Sequence, residues 1–140
     1  MTDTADLLVS TDKSKLNITT IHAFLMSSYW AEGRTIEQVR ATIDNSLCFG
    51  MYLKNEQIGF ARLLTDGVVF AYLMDVFVLK KFRGNGYSKI LLQKIFSYPE
   101  LANIPKWILG TTDAHGLYKQ FGFTPISHPE RLMEWVKNGK

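Results

Sequence analysis

The stretch KKFRGNGYSKILLQKIF, residues 80–96, places Gly84 and Gly86 directly before apolar residues that recur at helical spacing. Glycine tolerates backbone conformations that other residues avoid, so these two glycines allow successive N–H groups to turn toward one anion. The N-terminus of the predicted helix adds unpaired donors and the positive end of its dipole. The stretch therefore predicts a loop that binds phosphate, and a diphosphate fits this geometry.

Two common phosphate-binding motifs do not match this loop. A Walker A loop requires a glycine, four residues and then Gly-Lys-Ser/Thr, which is absent, and the dinucleotide-binding fingerprint requires a third glycine where Lys89 stands. Basic residues bracket the loop, namely Lys80, Lys81, Arg83 and Lys89. A compact polyphosphate would explain this cluster as well as DNA would.

Length and composition predict one globular domain covering residues 1–140. A chain of 140 residues fits a single core, and 46% hydrophobic with 21% charged residues excludes disordered and low-complexity classes. The formal net charge of +3 is spread thinly, and no basic stretch is interleaved with aromatic residues, so we expect no nucleic-acid partner. A homodimer is left open.

The sequence predicts neither a metal site nor a membrane segment. Cys48 is the only cysteine and the three histidines are scattered, so metal-ligand spacing is lacking. We expect Cys48 to be a small buried hydrophobe. The N-terminal stretch has no apolar signal region, and no segment approaches the ~20 apolar residues of a membrane span. These features predict a cytoplasmic protein with no membrane partner.

Before the glycine loop, the sequence predicts two helices and a three-stranded meander. Asn17 is a suitable N-cap for a helix that ends near Tyr29, and Thr35 with Gln38 predicts a capping box for the next helix. Three stretches rich in β-formers follow, with short turns between them, as in antiparallel strands. They cover residues 47–54, 57–64 and 68–80.

After the loop, a helix that ends before Pro99 leads to WILGT, residues 107–111, a near-continuous apolar run typical of a strand buried on both faces. Strand, helix and strand predict a right-handed parallel unit. A last short helix has Asp113 as its predicted N-cap and Gly122 as its C′ residue. The predicted fold class is α/β, with a mixed, mainly antiparallel sheet and helices on both of its faces.

Two segments, VFVLKKFRGNGYSKILL and DAHGLYKQFGF, resemble motifs of the GNAT superfamily of acyl-CoA-dependent N-acyltransferases. The family signature is Arg/Gln-x-x-Gly-x-Gly/Ala, and Lys81 stands where the family has arginine or glutamine. The second motif often begins with asparagine, which Asp113 replaces. The predicted order of elements agrees with the family over about residues 17–123. The chain is similar to a small, single-domain member of bacterial type.

The resemblance implies an N-acetyltransferase that moves an acetyl group from acetyl-CoA to a primary amine of a small molecule, an amino acid or a peptide N-terminus. It implies that the two parallel strands part at their ends and that the cofactor enters the gap. Pantetheine would run beside the strand at Val76, Phe77 and Val78. The other residues that the resemblance assigns to the cofactor are Arg83, Gly84, Asn85, Gly86, Tyr87, Ser88 and Asp113. The alternatives are a CoA-binding regulator without turnover and a weak nucleic-acid module.

Tyr118 and Asp75 are the candidate catalytic residues. Tyr118 lies on the apolar face of its predicted helix, where it either packs in the core or, as the resemblance implies, protonates the departing CoA thiolate. Asp75 shares a predicted strand face with Leu73 and Phe77, and a carboxylate among apolar neighbours is costly unless it is paired. Asp75 could be a structural anchor, could attract a substrate ammonium group, or could help to deprotonate the amine.

The acceptor site is expected around SSYWAEGRT, residues 27–35, because the resemblance places this loop beside the acceptor cleft. Tyr29 and Trp30 could wall the pocket, and Arg34 could bind a carboxylate through two parallel hydrogen bonds. The alternative is that Arg34 is a solvated loop residue and Trp30 packs in the core.

Overall fold

The computed structural model describes residues 6–137, which fall into two compact units. The first unit ends at Gly110 and contains the sheet, whereas the second begins at Thr111 and contains one short α-helix. A single domain spanning residues 1–140 stays a prediction.

The first unit is built on a five-stranded sheet in the order β1-β2-β3-β4-β5. Its strands are β1 (Leu7–Ser10), β2 (Leu47–Leu53), β3 (Glu56–Thr65), β4 (Ala71–Val78) and β5 (Trp107–Leu109). The first four strands pair antiparallel, whereas β4 and β5 run parallel. This confirms the predicted mixed, mainly antiparallel sheet. The sequence does not predict β1, because its four partly exposed residues are too few to show a period.

Three α-helices flank this sheet, and a fourth lies in the second unit. They are α1 (Ile18–Met26), α2 (Ile36–Asp44), α3 (Tyr87–Phe96) and, in the second unit, α4 (His115–Lys119). None of the helices between residues 6 and 137 has both the length and the apolar character needed to cross a membrane.

The predicted caps of α1 and α2 are confirmed. The side-chain oxygen of Asn17 accepts a hydrogen bond from the Thr20 amide at 3.0 Å. In α2 the Gln38 amide donates to Oγ1 of Thr35 at 3.1 Å, and the Thr35 amide donates to Oε1 of Gln38 at 2.8 Å. These bonds satisfy donors that each helix leaves unpaired at its start, so the local sequence fixes where both helices begin.

The prediction that α1 reaches Tyr29 is wrong, because the helix ends at Met26. The hydroxyl groups of Ser27 and Ser28 donate to helix carbonyl oxygens three residues earlier, at 2.6 and 2.7 Å. Serine side chains compete in this way with backbone hydrogen bonds and favour helix ends. Residues 27–34 are therefore a loop between α1 and α2.

The predictions for the two parallel strands, β4 and β5, also need correction. β4 starts at Ala71 rather than at residue 68, because Oδ1 of Asp66 accepts hydrogen bonds from the amides of residues 68–70 and holds them in a turn. β5 has three residues, and they are half-buried rather than fully buried. Among residues 6–137, β5 is the last strand in the sheet order, so one of its two edges has no neighbouring strand to cover it.

The core of the first unit lies between the sheet and its helices. Ile21, Leu25, Val39 and Ile43 of α1 and α2 form one buried cluster with residues of the sheet, namely Cys48, Phe60 and Phe77. The predicted burial of Cys48 is confirmed, and this burial raises the pKa of its thiol to about 11. Leu91, Leu92 and Ile95 of α3 are also fully buried.

In the second unit, the prediction that Asp113 caps α4 is wrong. The cap position belongs to Ala114, whose amide donates to Oγ1 of Thr111 at 3.0 Å, and the Asp113 side chain is exposed. The Thr111 hydroxyl thus binds the N-cap residue itself, and α4 begins without a side-chain cap hydrogen bond. Gly122 has φ of +93°, as expected for a glycine that ends a helix, but it lies two residues after the C-cap Gln120 rather than one.

Candidate active site

The edge of β4 that faces β5 is open along most of its length. β5 pairs only with Ala71–Leu73, whereas β4 continues to Val78. Within residues 6–137, the segment 74–78 therefore has no partner strand on that side. Unpaired backbone N–H and C=O groups need a hydrogen-bonding partner, so this edge can bind an extended ligand. The predicted parting of the parallel strands is confirmed.

A β-bulge interrupts the other edge of β4 at Asp75. Phe60 pairs with Phe77 and Arg62 pairs with Met74, so two residues of β4 lie opposite one residue of β3. Asp75 has φ of +54°, which is uncommon for any residue with a side chain. A bulge leaves its extra residue outside the ladder and bends the strand locally. The bulge thus lies at the start of the open segment.

The carboxylate of Asp75 is the centre of a buried polar cluster. Its Oδ2 accepts from Nη1 of Arg34 at 2.8 Å and from Nε of Arg62 at 2.9 Å. Its Oδ1 accepts from the indole Nε1 of Trp30 at 2.8 Å. The Asp75 side chain is only 1% exposed. The cluster therefore fastens the α1–α2 loop and β3 to the bulge in β4.

These contacts favour the first of the three roles considered for Asp75, a structural anchor. Three donors already occupy the carboxylate, and a substrate amine could reach it only by displacing one of them. The structure joins Asp75 to Trp30 and Arg34, two residues that the sequence assigns to the acceptor site. Arg34 is therefore not simply a solvated loop residue, and Trp30 does more than pack in the core, because both side chains donate hydrogen bonds to Asp75.

Arg62 is the member of the cluster that sequence reasoning misses. It is the one charged residue within the apolar part of β3, residues 58–64, and its side chain is only 7% exposed. A lone arginine and a lone aspartate in neighbouring strands of a meander are a signal for a buried pair, since each is costly to bury alone. From that signal, an ion pair between Arg62 and Asp75 could have been predicted from the sequence alone.

The glycine loop has the open backbone that the sequence predicts. Gly84 and Gly86 have φ of +85° and +78°, in the left-handed region where other residues are strained. A Cβ added at either glycine would meet no atom of the protein within 4 Å, so the loop faces open space. Gly86 is the N-cap residue of α3 and supplies no side-chain cap, so the first amides of α3 keep their capacity to bind an anion.

Two side chains shape this loop. Nε of Arg83 donates to the Val78 carbonyl at 3.0 Å, and its guanidinium lies 5.9 Å from the centre of the Phe24 ring. The side-chain amide of Asn85 donates to the Phe82 carbonyl at 3.1 Å. Arg83 thus holds the loop against the end of β4. The sequence alone does not distinguish this structural role from direct contact with phosphate.

The lysines near the loop remain accessible. Nζ of Lys81 lies 3.7 Å from a carboxylate oxygen of Glu56, and both side chains are largely exposed, so this pair contributes little stability. Lys80 and Lys89 are exposed and form no ion pair within the described part of the chain. The loop is therefore electropositive as well as open.

Aromatic side chains form the exposed rim next to the Asp75 cluster. The rings of Tyr29 and Trp30 meet edge to face with centroids 5.1 Å apart, and both residues are exposed. The Trp30 ring also lies 6.3 Å from that of Phe24. Nε2 of His22 is 3.0 Å from the carbonyl oxygen of Arg34, which fixes the backbone of this loop to α1.

Tyr118 and Asp113 belong to the second unit. Tyr118 lies on α4, is buried and packs edge to face against Phe123 at 5.9 Å between ring centroids. Its catalytic role and the cofactor contact of Asp113 stay predictions. Between residues 6 and 137, no group of three or more histidine, cysteine, aspartate or glutamate side chains is placed to hold a metal ion.

Comparison with known proteins agrees with these features. Residues 16–123 match the family model described as "Acetyltransferase (GNAT) family". A "Putative acetyltransferase" of Gibberella zeae is 32% identical over 137 residues, in an alignment covering 81% of this chain and 76% of that protein.

Solved structures give the same result. A "putative acetyltransferase belonging to the gnat family" from Xanthomonas campestris pv. campestris is 45% identical with a TM-score of 0.91, and the match covers 95% of this chain and 94% of that chain. A GNAT family acetyltransferase from Elizabethkingia anophelis with acetyl-CoA bound shares the fold, with a TM-score of 0.66 at 16% identity over 96% and 91% of the two chains. The family model covers the open edge of β4, the glycine loop and α4. The chain therefore belongs to the GNAT family of acetyltransferases.

Proposed function

We propose that the protein is an N-acetyltransferase that transfers the acetyl group of acetyl-CoA to a primary amine of a small molecule, an amino acid or a peptide N-terminus in the cytoplasm. The observation that carries this proposal is the open edge of β4 at residues 74–78, followed directly by the Gly84–Gly86 loop and the uncapped start of α3. Family membership supports the reaction type. The acetyl-CoA bound to the Elizabethkingia anophelis protein supports the choice of donor.

The donor has two parts that suit these two features. Pantetheine is an extended chain with amide groups, which pair with an open strand edge as another strand would. The diphosphate needs several N–H donors and positive charge, which the amides at the start of α3 and the accessible Lys80 and Lys89 supply. Val76, Phe77 and Val78 would then lie beside the pantetheine, and the reactive thioester would lie near the bulge.

The proposed chemistry is direct attack of a neutral amine on the thioester carbon. A backbone N–H near Val76 polarises the carbonyl as negative charge develops on its oxygen. A C–N bond forms, the C–S bond breaks, and the amine nitrogen loses its proton to solvent. Tyr118 gives its phenol proton to the departing thiolate and regains one from solvent, a suitable task because ordinary phenols are protonated at neutral pH. No covalent intermediate on the protein is needed.

Calorimetry with acetyl-CoA tests donor binding at the loop. Gly86→Glu should abolish binding, because the new side chain occupies the anion position and repels the diphosphate. Gly67→Glu is a matched control, since Gly67 has the same φ of +78° and equally open surroundings, but lies in the β3–β4 turn. Both variants carry the same strain and the same charge change. Unchanged binding in a folded Gly86→Glu variant would reject the loop as the diphosphate site.

A screen of amines, amino acids and peptides with acetyl-CoA, followed by release of free thiol, tests turnover. We expect the free thiol of CoA to be released with at least one class of primary amine. Acetyl-CoA binding without thiol release from any amine would support the alternative, a CoA-binding regulator. A wild-type protein that does not bind acetyl-CoA would contradict the proposed function.

A further inference from the structure

The buried cluster around Asp75 contains more positive than negative charge. One carboxylate, 1% exposed, faces the guanidinium groups of Arg34 and Arg62. A guanidinium group does not lose its proton in a protein. No other ion pair within residues 6–137 involves these three side chains. The cluster therefore carries one positive charge that the described residues do not neutralise.

The hydrogen bonds indicate that Arg34, rather than Arg62, is the arginine whose charge is available to a ligand. Every nitrogen of the Arg62 side chain is occupied, with Nε on Asp75, Nη1 on Oγ of Ser46 at 3.0 Å and Nη2 on Sδ of Met74 at 3.4 Å. Arg34 uses only Nη1, and its Nε and Nη2 have no partner among residues 6–137. Its side chain is 20% exposed, against 7% for Arg62.

The unused edge of Arg34 matches one kind of ligand group. Nε and Nη2 of a guanidinium donate in parallel, which is the geometry that a carboxylate accepts. Asp75 keeps the group from rotating away by holding Nη1. The exposed rings of Tyr29 and Trp30 lie in the same loop, so a bound molecule would contact both a cation and an apolar rim.

We infer that Arg34 binds the carboxylate of the acceptor, so that the acceptor class is amino acids and related amines that carry a carboxylate. This inference rests on the proposed function, which puts the thioester beside Val76, the residue after Asp75. The positive charge also favours reaction, because a nearby cation disfavours the charged ammonium form of the amine. Polyamines, which have no carboxylate, would be repelled.

A second part of the inference concerns Arg62, which is a positioning residue. Arg62 is not placed to bind the acceptor, since its side chain is only 7% exposed and each of its three nitrogens already donates a hydrogen bond inside the protein. Its charge partly cancels that of Asp75, which would otherwise neutralise Arg34 completely. Arg62 therefore leaves Arg34 able to attract an anion.

Binding can be measured without turnover through the indole N–H signal of Trp30. The protein has three tryptophans, so three indole signals are expected in a nitrogen-15 NMR spectrum, and Trp30→Phe identifies the relevant one. The probes are three pairs, glycine with glycinamide, leucine with leucinamide and phenylalanine with phenylalaninamide, each added in the presence of CoA. We expect an acid to bind on the order of tenfold more tightly than its amide, the size expected for a charge-assisted hydrogen bond at a partly exposed site.

Arg34→Gln should abolish this difference between acid and amide. Arg40→Gln is the matched control, because it removes an exposed positive charge from α2 and should keep the difference. Equal binding of acids and amides to the wild-type protein would overturn the inference, and so would a difference that persists in Arg34→Gln. The proposed function is tested separately by acetyl-CoA binding, so an NMR result for Arg34 stands even if no acetyl transfer is found.

Steady-state kinetics test the role of Arg62. Arg62→Met should raise KM for acids toward the value for amides, with kcat and the KM for amides little changed, whereas Arg62→Lys should keep the preference because it keeps the charge. A merely structural role would change KM for acids and amides alike, and that outcome would overturn the second part of the inference. If Arg62→Met does not fold, Arg62→Lys remains decisive, because loss of the acid preference in that folded variant contradicts a role based on charge.

Discussion

Replacing Asp75 with asparagine tests whether its carboxylate anchors the first unit. Asparagine has nearly the same size and tolerates positive φ, so Asp75→Asn removes the charge with little backbone strain at φ of +54°. The amide oxygen can still accept the Trp30 indole, but the amide NH2 group then faces two guanidinium groups, which are also donors. The substitution therefore breaks both ion pairs.

The size of the effect follows from the burial of the two arginines. Removing one partner of a buried ion pair costs about 3–5 kcal/mol, because the remaining charge is left uncompensated. Arg62, at 7% exposure, bears most of this cost, whereas Arg34, at 20%, regains water more easily. We expect a loss at the lower end, about 3 kcal/mol in the free energy of unfolding. For a chain of this size, that corresponds to a decrease in Tm of about 10 °C.

Urea denaturation and calorimetry give this free energy directly. Arg34→Gln is the control, since it leaves the Asp75–Arg62 pair intact and should cost no more than about 1 kcal/mol. Combining Asp75→Asn with Arg62→Met should recover most of this stability, because the more deeply buried arginine charge is then removed and only the 20% exposed Arg34 lacks its partner. An Asp75→Asn variant with wild-type stability and greatly reduced kcat would refute the anchor and support Asp75 as the general base.

Three further outcomes are expected. Tyr118→Phe should lower kcat by roughly 10²-fold with little change in acetyl-CoA affinity, and wild-type turnover in that variant would leave only a packing role. Thr35→Ala should cost α2 about 1 kcal/mol in urea denaturation, through loss of its capping box. Burial raises the pKa of the Cys48 thiol from 9.0 to about 11, so stability from this group is full below pH 9 and falls as the pH rises toward 11. Between pH 8 and 10.5, the free energy of unfolding should therefore fall less in Cys48→Ala than in the wild-type protein. An equal fall in the two proteins would contradict a raised pKa for the Cys48 thiol.

Features that depend on neighbouring residues in the chain could be predicted from the sequence. The glycine loop and the caps at Asn17 and Thr35 are local, because each depends on residues within one helical turn. The antiparallel meander follows from short turns between β-rich stretches. The parting of β4 and β5 was predicted from the family resemblance.

Features that depend on distant partners could not be predicted in the same way. Trp30 and Asp75 are 45 residues apart in the chain, and Arg62 and Asp75 are 13 apart. Whether Arg62 and Asp75 meet depends on the register of β3 against β4, since a shift of one residue moves every side chain to the other face of a strand. Whether Trp30 meets Asp75 depends on how the α1–α2 loop packs against β4. The predicted cap of α4 is wrong for a local reason, because the helix starts one residue later than the sequence predicts, with Ala114 at the N-cap position and no side-chain cap hydrogen bond.

The bulge at Asp75 explains how one position serves both substrates in the proposed reaction. Arg62 contacts both Met74 and Asp75, although successive side chains in a regular strand point to opposite faces. The extra residue that makes this possible also leaves part of the backbone beside Val76 outside the ladder with β3. A regular strand would pair that backbone and would turn either Met74 or Asp75 away from Arg62. In the proposed reaction, the bulge therefore fixes Arg34 for the acceptor through Asp75, next to the open β4 edge where the thioester would lie, which couples the geometry of the two proposed sites through a single buried carboxylate.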